Sequence, residues 1–137
     1  MAIREPILHD RQRSFSTGSQ AISSASGFVD VTGAMLVAKD LGSPGCYDVD
    51  FFPIISVSSS NTTVTFRSLV NNVASGDDVS VLVKTSGIDA SYPIVGIVDN
   101  VVLGDEVQVQ LACDKGTTTI SNFIFRIDGI PEIRVVT

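Results

Sequence analysis

With 137 residues, the chain has material for one ordinary domain and not for two separate cores. A hydrophobic fraction of 44% against a charged fraction of 18% excludes a disordered chain, and no stretch approaches the ~20 apolar residues of a membrane-crossing helix. The net charge of −6 is uneven: residues 1–26 set Arg4, Arg11 and Arg13 against Glu5 and Asp10, net +1, while residues 27–137 set six basic against thirteen acidic residues, net −7. An acidic body repels phosphate backbones, so no nucleic-acid role is expected of it.

The first ten residues are charged and contain no apolar core of the secretion-signal kind, so the chain is expected to be made in the cytoplasm and not exported by the general secretory route. Residues 1–26 show little periodicity and end in a Ser-rich run. That composition predicts an extended N-terminal arm, ahead of a folded domain over 27–137. Ile3, Ile7, Leu8 and Phe15 are nevertheless more apolar than a plain linker requires. Spaced hydrophobes of this kind order by adding to a partner surface, which makes the arm a candidate anchor.

From Gly27 onward, short apolar runs alternate with turn signals. Phe28–Val31 and Met35–Lys39 are predicted as short strands around Gly33, and Leu41–Gly45, with two glycines and a proline, as a turn. Cys46–Val57 reads as a long strand in which Pro53 implies an edge position or a bulge. Thr62–Val70 alternates, with Val64, Phe66 and Val70 on one face and Thr63, Thr65 and Arg67 on the other; Asn71-Asn72 then marks a turn. Val79, Val81 and Val83 form the next alternating set. Tyr92–Val102 is nearly continuous in apolar residues, as a strand covered on both faces would be. In Glu106–Asp114, Val107, Val109 and Leu111 oppose Gln108 and Gln110. Lys115–Thr118 reads as a loop, Thr119–Gly129 as a final long strand, and Ile130–Thr137 as a short apolar end. Val and Ile dominate the core-forming residues and Trp is absent, so almost no helix is expected. Eight to ten strands with turns at intervals of ~10 residues predict an all-β protein, a two-sheet antiparallel jelly-roll sandwich with an extended N-terminal arm.

Catalytic patterns are scarce. The sole histidine, His9, falls in the arm, and neither Gly-x-Ser-x-Gly nor a phosphate-binding glycine loop occurs. Asp48 and Asp50, two apart on one strand, and the pairs Asp77-Asp78 and Asp105-Glu106 at turns fall short of a calcium loop and read as solvated acids that discourage edge pairing. Tyr47 and Tyr92 fall inside strands, as half-buried positions with tethered hydroxyls. Cys113 continues the apolar face of Val107, Val109 and Leu111, which predicts a buried free thiol, not a disulfide to Cys46. The expectation is a non-enzymatic protein with no cofactor and no metal.

Val101–Leu111, followed by Gly116–Ile120 and Phe123-Ile-Phe-Arg-Ile127, resembles the last two long strands of tumour-necrosis-factor-like jelly rolls. Gly45–Phe51 is similar to that family's Gly-x-Tyr strand start, and Thr63–Asn71 to its next strand, although the usual Asn-Gly turn is here Asn71-Asn72. The resemblance covers roughly residues 45–129. It implies a homotrimer packed around a threefold axis, with Phe123, Ile124, Phe125 and Arg126 near the interface. It also implies kinship with bacteriophage decoration, head-fibre and fibre-tip proteins. The function expected is a structural virion protein of a tailed phage, a trimeric capsid decoration or head-fibre protein. Its arm, through Ile3, Arg4, Ile7, Leu8, Arg11 and Arg13, would dock on the major capsid protein or another shell protein. The alternative is a receptor- or glycan-binding module at a tail or fibre tip. Localisation to the virion, and no membrane partner, follow from either reading.

Overall fold

The structure, a computed structural model, describes residues 3–6, 11–16, 18–38, 47–94, 101, 104–129 and 133–136, and the side chains of 18–38, 49–94, 101 and 104–127. Strands β1 (Ile3–Pro6), β2 (Arg11–Ser16) and β3 (Gln20–Ser23) lead through one turn of 3-10 helix, Ser24–Ser26, into β4 (Val29–Val37). Then follow β5 (Tyr47–Val57), β6 (Thr62–Val70), β7 (Val73–Val83), β8 (Ala90–Ser91), β9 (Glu106–Cys113), β10 (Thr117–Gly129) and β11 (Ile133–Val136). The 3-10 turn is the only helical element among the described residues.

Two antiparallel sheets form the sandwich. One has the order β2-β10-β5-β8, with β3 also on β10; the other has the order β4-β9-β6-β7. From β3 to β10 the chain changes sheet at every connection except β6 to β7, and that alternation is the jelly roll. The alternating sequence explains why each strand lies as it does. In β9, Val107, Val109, Leu111 and Cys113 are buried while the intervening glutamines are half-buried on the outer face. In β6, Val64 and Phe66 face inward, and Thr63, Thr65 and Arg67 outward. A slip of one residue would carry these apolar sets into water, so burial fixes the register.

The two layers are joined by phenylalanine. Phe51 of β5 meets Phe66 of the opposite sheet at 5.6 Å between ring centroids, and its sheet neighbours Phe123 and Phe125 at 5.3 and 6.4 Å, all in tilted or edge-to-face contact. Each ring is fully or almost fully buried. Burial of this kind contributes about 1.5–3 kcal/mol per side chain, and the edge-to-face geometry adds specificity to it.

Several strands differ from expectation for identifiable reasons. The two short strands predicted around Gly33 are one strand, β4, whose pairing with β9 is interrupted between Asp30 and Met35; Gly33, at φ 86, supplies the backbone conformation the interruption needs. Pro53 lies inside β5, not at a sheet edge. On the β10 side it stands opposite Phe123, next to a bulge at Ser121, and on its other side β8 pairs only with Ile54 and Ile55. The long strand expected over Tyr92–Val102 is not continuous: its described residues give an isolated bridge from Ile94 to Phe51. Tyr92 donates to the Pro53 carbonyl at 3.2 Å, but Pro53, lacking an N–H, cannot donate back, and the ladder lapses between Ser91 and Ile94. Residues 95–100, 102 and 103 lie outside the described residues, as does the turn expected at Leu41–Gly45. Thr117 and Thr118, expected in a loop, already belong to β10.

The segment expected to form an arm contributes three strands. The backbone of β1 pairs with β11, that of β2 runs along Phe123–Asp128 of β10, and that of β3 along Thr117–Ile120 of the same strand. The segment is therefore paired within the chain over Arg11–Ser16 and Gln20–Ser23. From β3, the Gln20 side chain reaches across to the opposite sheet, donating to the Asp30 carbonyl and accepting from the Thr32 N–H, both at 2.9 Å. Its amide thus serves β4 as a neighbouring strand would, at the place where pairing with β9 lapses.

Candidate functional site

β10 brings together four residues singled out in the sequence, and its pleat separates them into two pairs. Phe123 and Phe125 point into the sandwich and pack on Phe51, so they are core residues of the single subunit. Ile124 and Arg126 project from the outer face of the five-stranded sheet. There Ile124 is 40% exposed opposite Phe52, while the Arg126 guanidinium pairs with Asp50 at 2.9 Å and lies 5.1 Å from the Phe52 ring. Of the four, the residues that face outward are therefore Ile124 and Arg126, with half-buried Phe52 and Ile54 beside them. Asp50 is itself buried, and a charge-assisted pair on a strand already fixed by its ladder is rigid, not a loose surface bridge.

Of the proposed anchor residues, Ile3 and Arg4 lie in β1, and Arg11 and Arg13 in β2. In the β2–β10 register, Arg13 stands opposite Arg126 and Arg11 opposite Asp128. Ile7 and Leu8 lie outside the described residues, as does Cys46. Cys113 is a buried free thiol whose Sγ donates to the Ile22 carbonyl at 3.6 Å. Among the described residues no cluster of three His, Cys, Asp or Glu side chains is arranged to hold a metal, and no helix is long and apolar enough to cross a membrane.

The acids take separate structural posts. Asp77 and Asp78 sit in a bulge of β7, between Ser75 and Val79, on the edge of its sheet. Two carboxylates at a bulged edge oppose pairing with another chain. Asp105 accepts from the Asn71 amide at 2.9 Å, tying the β6–β7 turn to the start of β9.

One arrangement has no counterpart in the sequence reading. On the outer face of the four-stranded sheet, Arg67 of β6 donates from Nε to Gln110 Oε1 at 2.9 Å, and Gln110 Nε2 donates to Asp30 Oδ1 at 2.8 Å. The same guanidinium lies 3.9 Å from the centroid of the Phe28 ring. A chain of contacts from β4 through β9 to β6 thus fixes the guanidinium that lies against one aromatic side chain. The outward position of Arg67 was legible from alternation; its meeting with Phe28, distant in the chain, depends on the strand order.

The sequence matches no protein-family profile, and no curated protein matches it. Solved structures do match in fold. VP2 of infectious bursal disease virus, in a subviral particle, aligns at a TM-score of 0.54 with 10% identity over 88% of this chain and 32% of that one. Dimeric latent PorU from Porphyromonas gingivalis aligns at 0.55 with 9% identity over 88% of this chain and 13% of that one. Eiger TNF from S. frugiperda aligns at 0.43 with 13% identity over 84% of this chain and 90% of that one. The chain spans about a third or less of the first two proteins. At these identities the likeness is one of fold, and the fold is a jelly roll.

Proposed function

We propose that this chain is a structural protein of a virus particle, a trimeric capsid decoration or head-fibre protein of a tailed bacteriophage, acting by assembly and not by catalysis. The observation that carries the reading is the jelly-roll sandwich itself, which aligns in fold with VP2 of a viral subviral particle. The outer face of the five-stranded sheet supports it, because Ile124, Phe52 and Ile54 offer apolar area beside a fixed Arg126–Asp50 pair. A small sandwich gains stability by sharing such area with neighbours around a symmetry axis. The N-terminal residues Ile3, Arg4, Ile7, Leu8, Arg11 and Arg13 would supply the contact to the shell.

The first test is the solution mass by light scattering. A trimer of the 14.5 kDa chain has a mass of about 43 kDa. Binding to emptied shells is then compared between the native chain and a variant carrying Arg4→Gln, Arg11→Gln and Arg13→Gln. Removing residues 1–20 outright is a poor substitute, because it deletes β2 and Gln20 and so strips a partner from β10. A trimer that binds shells, with binding weakened in the triple variant, is the expected result. A monomer that binds no shell at any concentration would overturn the reading.

A further inference from the structure

A groove of about 310 Å³ opens on the outer face of the four-stranded sheet, lined by Phe28, Thr63, Thr65, Asp78, Ala112 and Asp114. That volume is at the lower end of the ~300–1,000 Å³ typical of small-ligand sites. Phe28 is half-buried, and its ring is held by the Arg67 guanidinium, which Gln110 and Asp30 fix in turn. A ring packed on a fixed guanidinium loses little freedom when something packs on it. Beside the ring stand hydroxyls and carboxylates. Thr65 Oγ1 and Ser80 Oγ share a hydrogen bond of 2.9 Å in which either oxygen can donate. Asp114 accepts from the Thr63 N–H at 2.8 Å, which orients its carboxylate at the end of β9, and Asp78 projects from the β7 bulge at the other side.

This combination has a chemical complement. A pyranose ring carries an apolar face of C–H groups that packs on an aromatic ring, and a rim of hydroxyls that donate to carboxylates and exchange hydrogen bonds with other hydroxyls. We propose that the groove beside Phe28 binds a neutral pyranoside, packed against the Phe28 ring and held through its hydroxyls by Asp78, Asp114 and the Thr65–Ser80 pair. Charge selects the class within the sugars. Asp78 and Asp114 flank the groove, and residues 27–137 carry net −7, so a sialic acid, a uronic acid or a sulfated sugar meets repulsion. Arg67, whose guanidinium lies against the ring, is already engaged with Gln110. The site is independent of the proposed trimer contact, because it lies on the opposite sheet from Ile124 and Arg126.

The test is ligand-observed saturation-transfer NMR on the full chain. The probes are the methyl glycosides of glucose, galactose, mannose and N-acetylglucosamine, with N-acetylneuraminic acid as the charged comparison. Transfer to the ring protons of at least one neutral glycoside and none to N-acetylneuraminic acid is expected. Phe28→Ala should lower that signal at least about tenfold, equivalent to ~1.4 kcal/mol, and Phe28→Tyr should keep it. Asp78→Asn, in an exposed bulge where folding is not at stake, should weaken it several-fold, and none of the three should change the solution mass. No transfer to any neutral glycoside overturns the proposal. So does transfer that survives both Phe28→Ala and Asp78→Asn, or equal transfer to N-acetylneuraminic acid.

Discussion

Buried hydroxyls in this sandwich are mostly satisfied by nearby backbone: Thr62 Oγ1 donates to the Ser59 carbonyl at 2.7 Å, and Ser68 Oγ to the Ser75 carbonyl at 2.9 Å. Thr118 differs. Its residue is fully buried on β10, opposite Ile22 and Val57, and its Oγ1 has no hydrogen-bond partner among the described residues. An unsatisfied buried hydroxyl carries its desolvation cost without return, and valine has nearly the same shape. Thr118→Val is therefore expected to raise stability by about 1 kcal/mol, read as a higher urea midpoint at unchanged slope. A lower midpoint would show that the hydroxyl has a partner after all. The position was not legible in advance, because the Lys115–Thr118 run is polar enough to read as loop. Gly116 was part of the same run, and there the structure shows a reason for glycine: at φ 53, an added methyl would collide with the Ser58 hydroxyl, which accepts from the Thr117 N–H.

At the scale of elements, alternation made β6 and β9 legible almost to the residue, because one face of each is buried and the other is not. The failures fall where pairing and not periodicity decides. β8 is short because Pro53, just beyond its partners on β5, has no N–H to return to Tyr92, and β2 and β3 exist because β10 is long enough to give both a partner, which Ser-rich composition does not reveal. The turn between β6 and β7 shows how local chemistry fixes a longer element. Asn71 and Asn72 have φ of 52° and 64°, and Val70 pairs directly with Val73, so the two asparagines form the type I′ turn that an Asn-Gly pair usually makes. Asn71 also bonds outward: its amide donates to Asp105, and its carbonyl oxygen accepts from the Glu106 N–H at 3.0 Å. The two positions should then respond differently. Asn72→Gly, which relieves the left-handed backbone, should leave stability unchanged or raise it by up to ~1 kcal/mol. Asn71→Ala loses both bonds as well as the turn preference and should cost about 1–2 kcal/mol. Thermal melts of the pair would check the order; equal effects at both positions would mean that the contacts to Asp105 and Glu106 contribute nothing.

For the molecule as a whole, the decisive feature is that one strand serves two environments. The alternation of Phe123, Ile124, Phe125 and Arg126 was visible in the sequence, and so was the division into two faces. Which face is interior was not, since that depends on where β6 lies across the sandwich and brings Phe66 onto Phe51. The Phe28 groove is hidden from sequence for the same reason, because four strands distant in the chain build it. Knowing the faces separates folding from assembly by single substitutions on neighbouring residues. Phe125→Ala empties a fully buried site in the aromatic cluster and should cost about 3–5 kcal/mol, whatever the oligomeric state. Ile124→Asp alters a residue that is 40% exposed. It should change the stability of the isolated subunit by no more than about 0.5 kcal/mol. In the proposed trimer, however, it sets three carboxylates against apolar surface beside Asp50, and the mass should fall from about 43 kDa toward 14.5 kDa at micromolar concentration. Light scattering and a denaturation curve on each variant read the two effects independently. A trimer indifferent to Ile124→Asp would move the interface away from this face, to another of the exposed apolar side chains such as Met35, Val73, Leu82 or Ile88. The strand order, the aromatic core and the groove beside Phe28 would stand unchanged.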